Sequence, residues 1–228
     1  MTTYDLYVES GPMMKKTLVH VPALLGCTGR GDTTPAAIDG ATDAIRAYLR
    51  FLGRIGEGVD PRAAFTMNVA AHDTAGGFLG TSFLPTDEKP LLERESNALM
   101  QRLEALHGEL RNVVGELTAK QLDAQPAKGR PIRRILRHIC AEGGYLREIS
   151  GASRMLRQVD EEQIDALDAL DQLFVLEVAR LRSMSTDERS AVIMRGQSPW
   201  SARSAVRRML EHGWEHYVEI AERLGRVP

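Results

Sequence analysis

The sequence predicts an α+β protein, a small strand-rich region of order βββαβ followed by an all-α up-and-down four-helix bundle. Three observations predict it. Short β-branched and aromatic segments separated by turn residues fill residues 1–75. From residue 91 onward apolar residues recur at three- and four-residue spacing, the period of a helix buried on one side. Between them lies a glycine- and proline-rich stretch, residues 76–90, which reads as a linker with a short strand around residues 78–83. The expected domains are therefore 1–75 and 91–228.

In the first part, residues 4–9 (Tyr-Asp-Leu-Tyr-Val-Glu) and 16–21 (Lys-Thr-Leu-Val-His-Val) read as a hairpin turned at Gly11 and Pro12. A third strand is expected around residues 27–31. Thr34 as N-cap and Pro35 at the first helical position then open a helix through Ile38, Ala41, Ile45, Tyr48, Leu49 and Leu52. Residues 65–70 form the returning strand.

The second part reads as four helices. The first spans about residues 91–117, with Leu99, Leu103, Leu106, Leu110, Val113 and Val114 along its buried stripe. Pro131 sits in the first turn of the second, which passes through Ile135, His138, Ile139, Tyr145 and Ile149 to a stop at Gly151. The third starts near Glu161 and carries Ile164, Leu167, Leu170, Leu173, Phe174, Leu176 and Leu181. Ser198-Pro199 or Ser201 caps the fourth, which runs to Leu224 and stops at Gly225.

Composition narrows the function classes. With 228 residues, 43% hydrophobic and 26% charged, the chain can bury a sizeable core. A net charge of −2 gives no general electrostatic footprint for nucleic acid or for an anionic membrane. The N-terminus carries Asp5 and Glu9 and has no secretory pattern, and no apolar run reaches the roughly 18 residues that span a bilayer, so a cytoplasmic protein is expected. Cys27 and Cys140 lie far apart and read as reduced packing thiols.

Histidine placement is the most informative chemical feature. His212 and His216 stand four residues apart in a helical stretch, which puts two imidazoles on one face, one turn apart. His138 lies in another helical segment, and if the two helices pack side by side three nitrogen donors converge. The bland alternative is a pair of partly buried histidines bonded to carboxylates such as Glu142 or Glu211. His20, His72 and His107 have no histidine within a helical turn.

Other polar residues have modest readings. Glu142, one turn beyond His138, could support that histidine or act as a fourth ligand. Glu211, Glu215 and Glu219 read first as solvated charges or helix pairs with Arg207, Arg208 and Arg223. Cys140, Tyr145 and Trp214 read as packing residues. The cluster Arg130, Arg133, Arg134 and Arg137 could meet carboxylates of a cofactor or a nucleic-acid backbone, but without interleaved aromatics a solvated face is favoured and nucleic acid is not expected. Asp5 or Glu9, Asp39 or Asp43, and Asp73 loosely echo carboxylates that hold two metal ions; solvated acids are the preferred reading.

Two resemblances extend these readings. Residues 4–8, the stretch Val19-His20-Val21-Pro22-Ala23-Leu24-Leu25-Gly26-Cys27, and Gly31-Asp32-Thr33-Thr34 leading into an Ala-rich helix resemble the HicB-like antitoxin domain, a partial ribonuclease-H-like fold. That resemblance implies a small ribonuclease toxin as partner, but no helix-turn-helix or ribbon-helix-helix segment follows, which counts against one. Residues 91–225 resemble the DinB-like (DinB/YfiT-type) four-helix bundles, on residues 131–139, on residues 201–217 and on Leu117-Thr118-Ala119-Lys120-Gln121-Leu122.

The second resemblance implies a divalent metal, zinc, nickel, iron or manganese, held by His138, His212 and His216. It also implies thiol-linked transfer or isomerisation with a low-molecular-weight thiol, or hydrolysis, of a small-molecule substrate. A non-catalytic interaction or antitoxin-like module in which the metal is structural is the alternative. Exposed strand edges and flat helical faces also make a homodimer the expected assembly.

Overall fold

Four strands and a helical crossover account for the first part of the chain. The computed structural model describes residues 1–74, 80, 82–142, 145–150 and 164–228, excluding side chains 141, 142, 147 and 150. These divide into two compact units, Met1–Thr86 and Asp87–Val227. The strand expected around residues 78–83 falls largely outside the described residues.

In the first unit, β1 (Thr2–Ser10), β2 (Lys15–His20), β3 (Thr28–Thr33) and β4 (Phe65–Asp73) form one sheet in the order β3-β2-β1-β4. The β1–β2 and β2–β3 pairs are antiparallel, whereas β4 runs parallel to β1. Parallel pairing needs a crossover. It is supplied by α1 (Thr34–Asp39) and α2 (Ala41–Arg54), whose buried Ile45, Tyr48, Phe51 and Leu52 make the core with Leu6, Val8 and Val19 of the sheet. Gly31 lets α1 lie on β3, because a Cβ there would sit 2.4 Å from the Ala37 backbone nitrogen.

Two details differ from expectation. Thr33, not Thr34, is the N-cap: its side chain accepts the Ala36 N–H, and Pro35 then sits one residue further into the first turn. The single helix expected here is two, divided at Gly40.

The second unit holds α3 (Glu93–Val114), α4 (Ala119–Leu122), α5 (Ile132–Glu142), α6 (Tyr145–Ser150), α7 (Ala166–Ser183), α8 (Thr186–Ser190), the hairpin β5 (Val192–Arg195) and β6 (Ser198–Ser201), and α9 (Ala202–Arg223). The first long helix ends at Val114 because Gly115 caps it and a capping box of Thr118 with Gln121 starts the separate α4. The second expected helix appears as α5 and α6; its stop at Gly151 lies outside the described residues, as does the start of the third near Glu161. Asp165 caps α7 by accepting the Leu167 N–H, so Ile164 precedes the helix and its carbonyl instead accepts from Arg137.

α9 organises this unit. It packs on α3, α5 and α6, while α7 packs on α3 and α5. Every residue from Ala202 to Trp214 is buried, including Arg203, Arg207, Arg208 and Glu211. Charges removed from water must be paired to be tolerated, and these are. Arg207 binds both carboxylate oxygens of Asp87 and, at 2.9 Å, Glu211; Arg208 donates to the same Glu211 oxygen at 2.7 Å. Arg203 reaches Glu95 at 2.7 Å and the carbonyls of Lys89 and Pro90. Ser201 caps the helix, and its hydroxyl donates to the Asp87 carbonyl. Ser198 and Pro199, the other expected cap, belong to β6.

Candidate metal centre

The capping by Ser201 and the arginine clamps fix α9 in position, and its next turns carry His212 and His216 inward. Both are buried, with 4% and 3% of their surface exposed. α5 presents His138 to them. Ring centroids lie 4.9 Å apart for His138 and His212, 5.0 Å for His138 and His216, and 4.5 Å for the helical pair. The three residues each offer a ring nitrogen within 4.8 Å of the others. Among the described residues this is the group of three or more His, Cys, Asp or Glu close enough to share one ion.

The donor geometry fits a divalent cation. His212 Nε2 and His216 Nε2 are 3.0 Å apart. Two imidazoles on one tetrahedral ion, with bonds of about 2.0–2.1 Å, stand roughly 3.3 Å apart, so small side-chain shifts would suffice. On the other edge of the His216 ring, Nδ1 donates to Glu219 at 2.9 Å, which leaves the Nε2 lone pair facing the cluster. The hydrogen bond from His216 is the chief cause that holds the Glu219 carboxyl below its usual range, and Arg223 and Arg130 add to it. Arg223 also donates to the second Glu219 oxygen.

The neighbouring residues sort differently from their sequence readings. Glu211 pairs with Arg207 and Arg208 as expected of a helix pair, but it is 1% exposed and not solvated. Glu219 pairs with Arg223 and also orients a histidine. The side chain of Glu142 lies outside the described residues. Cys140 and Trp214 are buried, and no disulfide joins Cys27 and Cys140. Arg133 is occupied by Asp123 and Asp165, while Arg134 is exposed.

Tyr145 does more than pack: its hydroxyl lies 3.4 Å from Arg208 and its ring 6.1 Å from that of His212. A pocket enclosing about 450 Å³ of empty space, its mouth included, has Tyr145 and His212 in its wall. Leucines of α3 and α7 with Phe174 and Met209 make most of the rest. Gly213 also lines it; a Cβ there would meet Leu106 at 3.0 Å, so the glycine sets how closely α9 approaches α3.

In the first unit the acidic residues do not assemble. Glu9 is buried against His20 at 3.1 Å and accepts the Gly80 N–H; burial works to raise its carboxyl, but these hydrogen bonds bring it below the usual range. Asp5 accepts from Asn68, and Asp73 from Ser82. His72 hydrogen-bonds Ser10. His107 is likewise occupied, 2.8 Å from Asp171 and stacked on Phe174.

Comparison with known proteins locates this arrangement. The family model for the DinB superfamily matches residues 86–220. Among solved structures the chain is similar to YfiT from Bacillus subtilis, described as "a probable metal-dependent hydrolase with an unusual four-helix bundle topology", at 18% identity over 59% of this chain and 90% of that one, with a TM-score of 0.45. No curated protein matches the chain.

Proposed function

The chain belongs to the DinB superfamily, and from that premise we propose that it binds one divalent metal ion through His138, His212 and His216 and uses it to transform a small-molecule substrate. The observation that carries this reading is the convergence of three imidazole nitrogens from two helices within 4.8 Å. Neutral imidazoles suit zinc, nickel, iron or manganese. When bound, such an ion supplies Lewis acidity that makes water or a thiol more acidic near neutral pH.

The chain's own residues supply the remainder. Glu219 holds the His216 tautomer, the buried Asp87–Arg207–Glu211 cluster anchors the helix on which two ligands stand, and the pocket beside His212 admits substrate while its apolar walls limit water. Three protein donors among the described residues, where a structural site closes its shell with four, favour chemistry over a purely structural role. Hydrolysis and thiol-linked transfer both fit such a centre. For Met1–Thr86 the HicB-like reading is part of the proposal, supported by the strand and helix order βββααβ; a homodimer and a cytoplasmic location are proposed with it.

The test is turnover of a panel of small esters and amides, with and without a low-molecular-weight thiol. Activity is expected to disappear on chelation, return on metal addition and be absent in His212→Ala. Turnover that is indifferent to chelation would refute the reading.

A further inference from the structure

Glu177 is out of place on α7. It stands in the apolar stripe of Leu170, Leu173, Phe174 and Leu181, is 7% exposed, and lines the pocket that also reaches His212. No hydrogen bond or ion pair joins its carboxyl to any described residue. Burial pushes that carboxyl up to about 8, and burial is the sole cause. An unpaired carboxylate in such surroundings costs several kcal/mol or takes up a proton. Glu177 is not among the residues whose donor atoms converge with the three histidines. Its charge therefore has no partner in the described protein, and a ligand in the pocket would supply one.

The pocket chemistry selects the ligand. Among the described residues its walls are leucines, Ile139, Phe174 and Met209, and its polar members besides Glu177 are His107, Tyr145 and His212. His107 is engaged by Asp171 and Tyr145 lies beside Arg208. Among the described residues no lysine or arginine lines the pocket, so an anionic molecule would find no countercharge from them, whereas a cation would find Glu177.

We propose that Glu177 is the recognition residue for the ammonium group of a small, mainly apolar primary amine, which the pocket holds with its apolar body against α3 and α7. The inference rests on the metal-centre reading only in naming this amine as the substrate class of that centre; the recognition itself requires no metal. An incoming ammonium restores the ionised form of Glu177, and the pair forms between largely apolar walls. A charge-assisted hydrogen bond of this kind contributes about 1.5–3 kcal/mol, at least about tenfold in affinity.

Calorimetric titration with hexylamine and its neutral isostere hexan-1-ol tests this. It is done on zinc-loaded protein, on metal-stripped protein and on Glu177→Gln, with the fold of the variant checked by circular dichroism. The amine is expected to bind about tenfold or more tightly than the alcohol to both wild-type forms, with the ratio falling to near one in Glu177→Gln. If the amine is preferred only when zinc is present, it ligates the metal, and the assignment to Glu177 is overturned while the metal centre stands. If the preference survives in protein that takes up no zinc, Glu177 recognition holds and the metal reading fails. Equal binding of the two probes, or binding of neither, overturns the proposal.

Discussion

His216 is held through both ring nitrogens, with Glu219 on Nδ1 and the histidine cluster on Nε2. Such an outer partner fixes ring orientation and raises ligand basicity, and losing it costs metal affinity about 10- to 100-fold. Glu219→Ala is therefore expected to weaken zinc binding by that factor in competition with a chromophoric chelator, whereas Glu219→Gln, which can still accept the hydrogen bond, loses less. Equal affinity in Glu219→Ala and wild type would mean that the helix alone orients the ring. At this scale His212 and His216 are legible as a pair because i, i+4 spacing is a local property, whereas His138 joins them only through helix packing and the family resemblance. Helical spacing offers Glu219 as a solvated charge or a partner of Arg223, and the second of these is half of its role. The significance of Glu177 and His107 depends on helices packing around a pocket, which no local pattern announces. A signal existed in Glu177, an acid on an otherwise apolar stripe.

The buried arginines of α9 set the scale of the element. A helix enclosed on nearly all sides is ordinarily apolar throughout, yet α9 carries Arg203, Arg207 and Arg208 into the interior and pairs them with Glu95, Asp87 and Glu211. Removing one member leaves buried charge uncompensated. Arg207→Ala is expected to destabilise the second unit by about 3–5 kcal/mol in urea unfolding followed by tryptophan fluorescence, since Trp200 and Trp214 both lie there. A loss below about 1 kcal/mol would show that the cluster is hydrated in solution. Charge patterning hid this burial, because arginines and glutamates at helical spacing read as a solvent face. Most other elements were visible in local patterns, among them β1, β2, the α9 cap at Ser201 and the stripe of α3. The β5–β6 hairpin is marked only by Val192, Ile193 and the turn at Gly196; its four-residue strands are too short for a periodicity that stands out beside two long helices.

Across the whole chain, composition placed two kinds of periodicity side by side, and the structure contains two compact units whose division falls at Thr86 and Asp87. Asp87 stands in the glycine- and proline-rich stretch whose composition is that of a linker. It is fully buried and paired with Arg207, 120 residues away, a long-range contact that no local pattern announces. Among the described residues no helix is long and apolar enough to cross a membrane.

The central claim, that the folded chain assembles one metal centre from His138, His212 and His216, is tested most directly by elemental analysis of tag-free, full-length protein. The comparison is a variant with all three histidines replaced by alanine, its fold checked by circular dichroism. The account predicts close to one equivalent of divalent metal per chain in the wild type and none in the variant. Equal metal in both proteins, or none in the wild type even after incubation with zinc, nickel, iron and manganese, would contradict it.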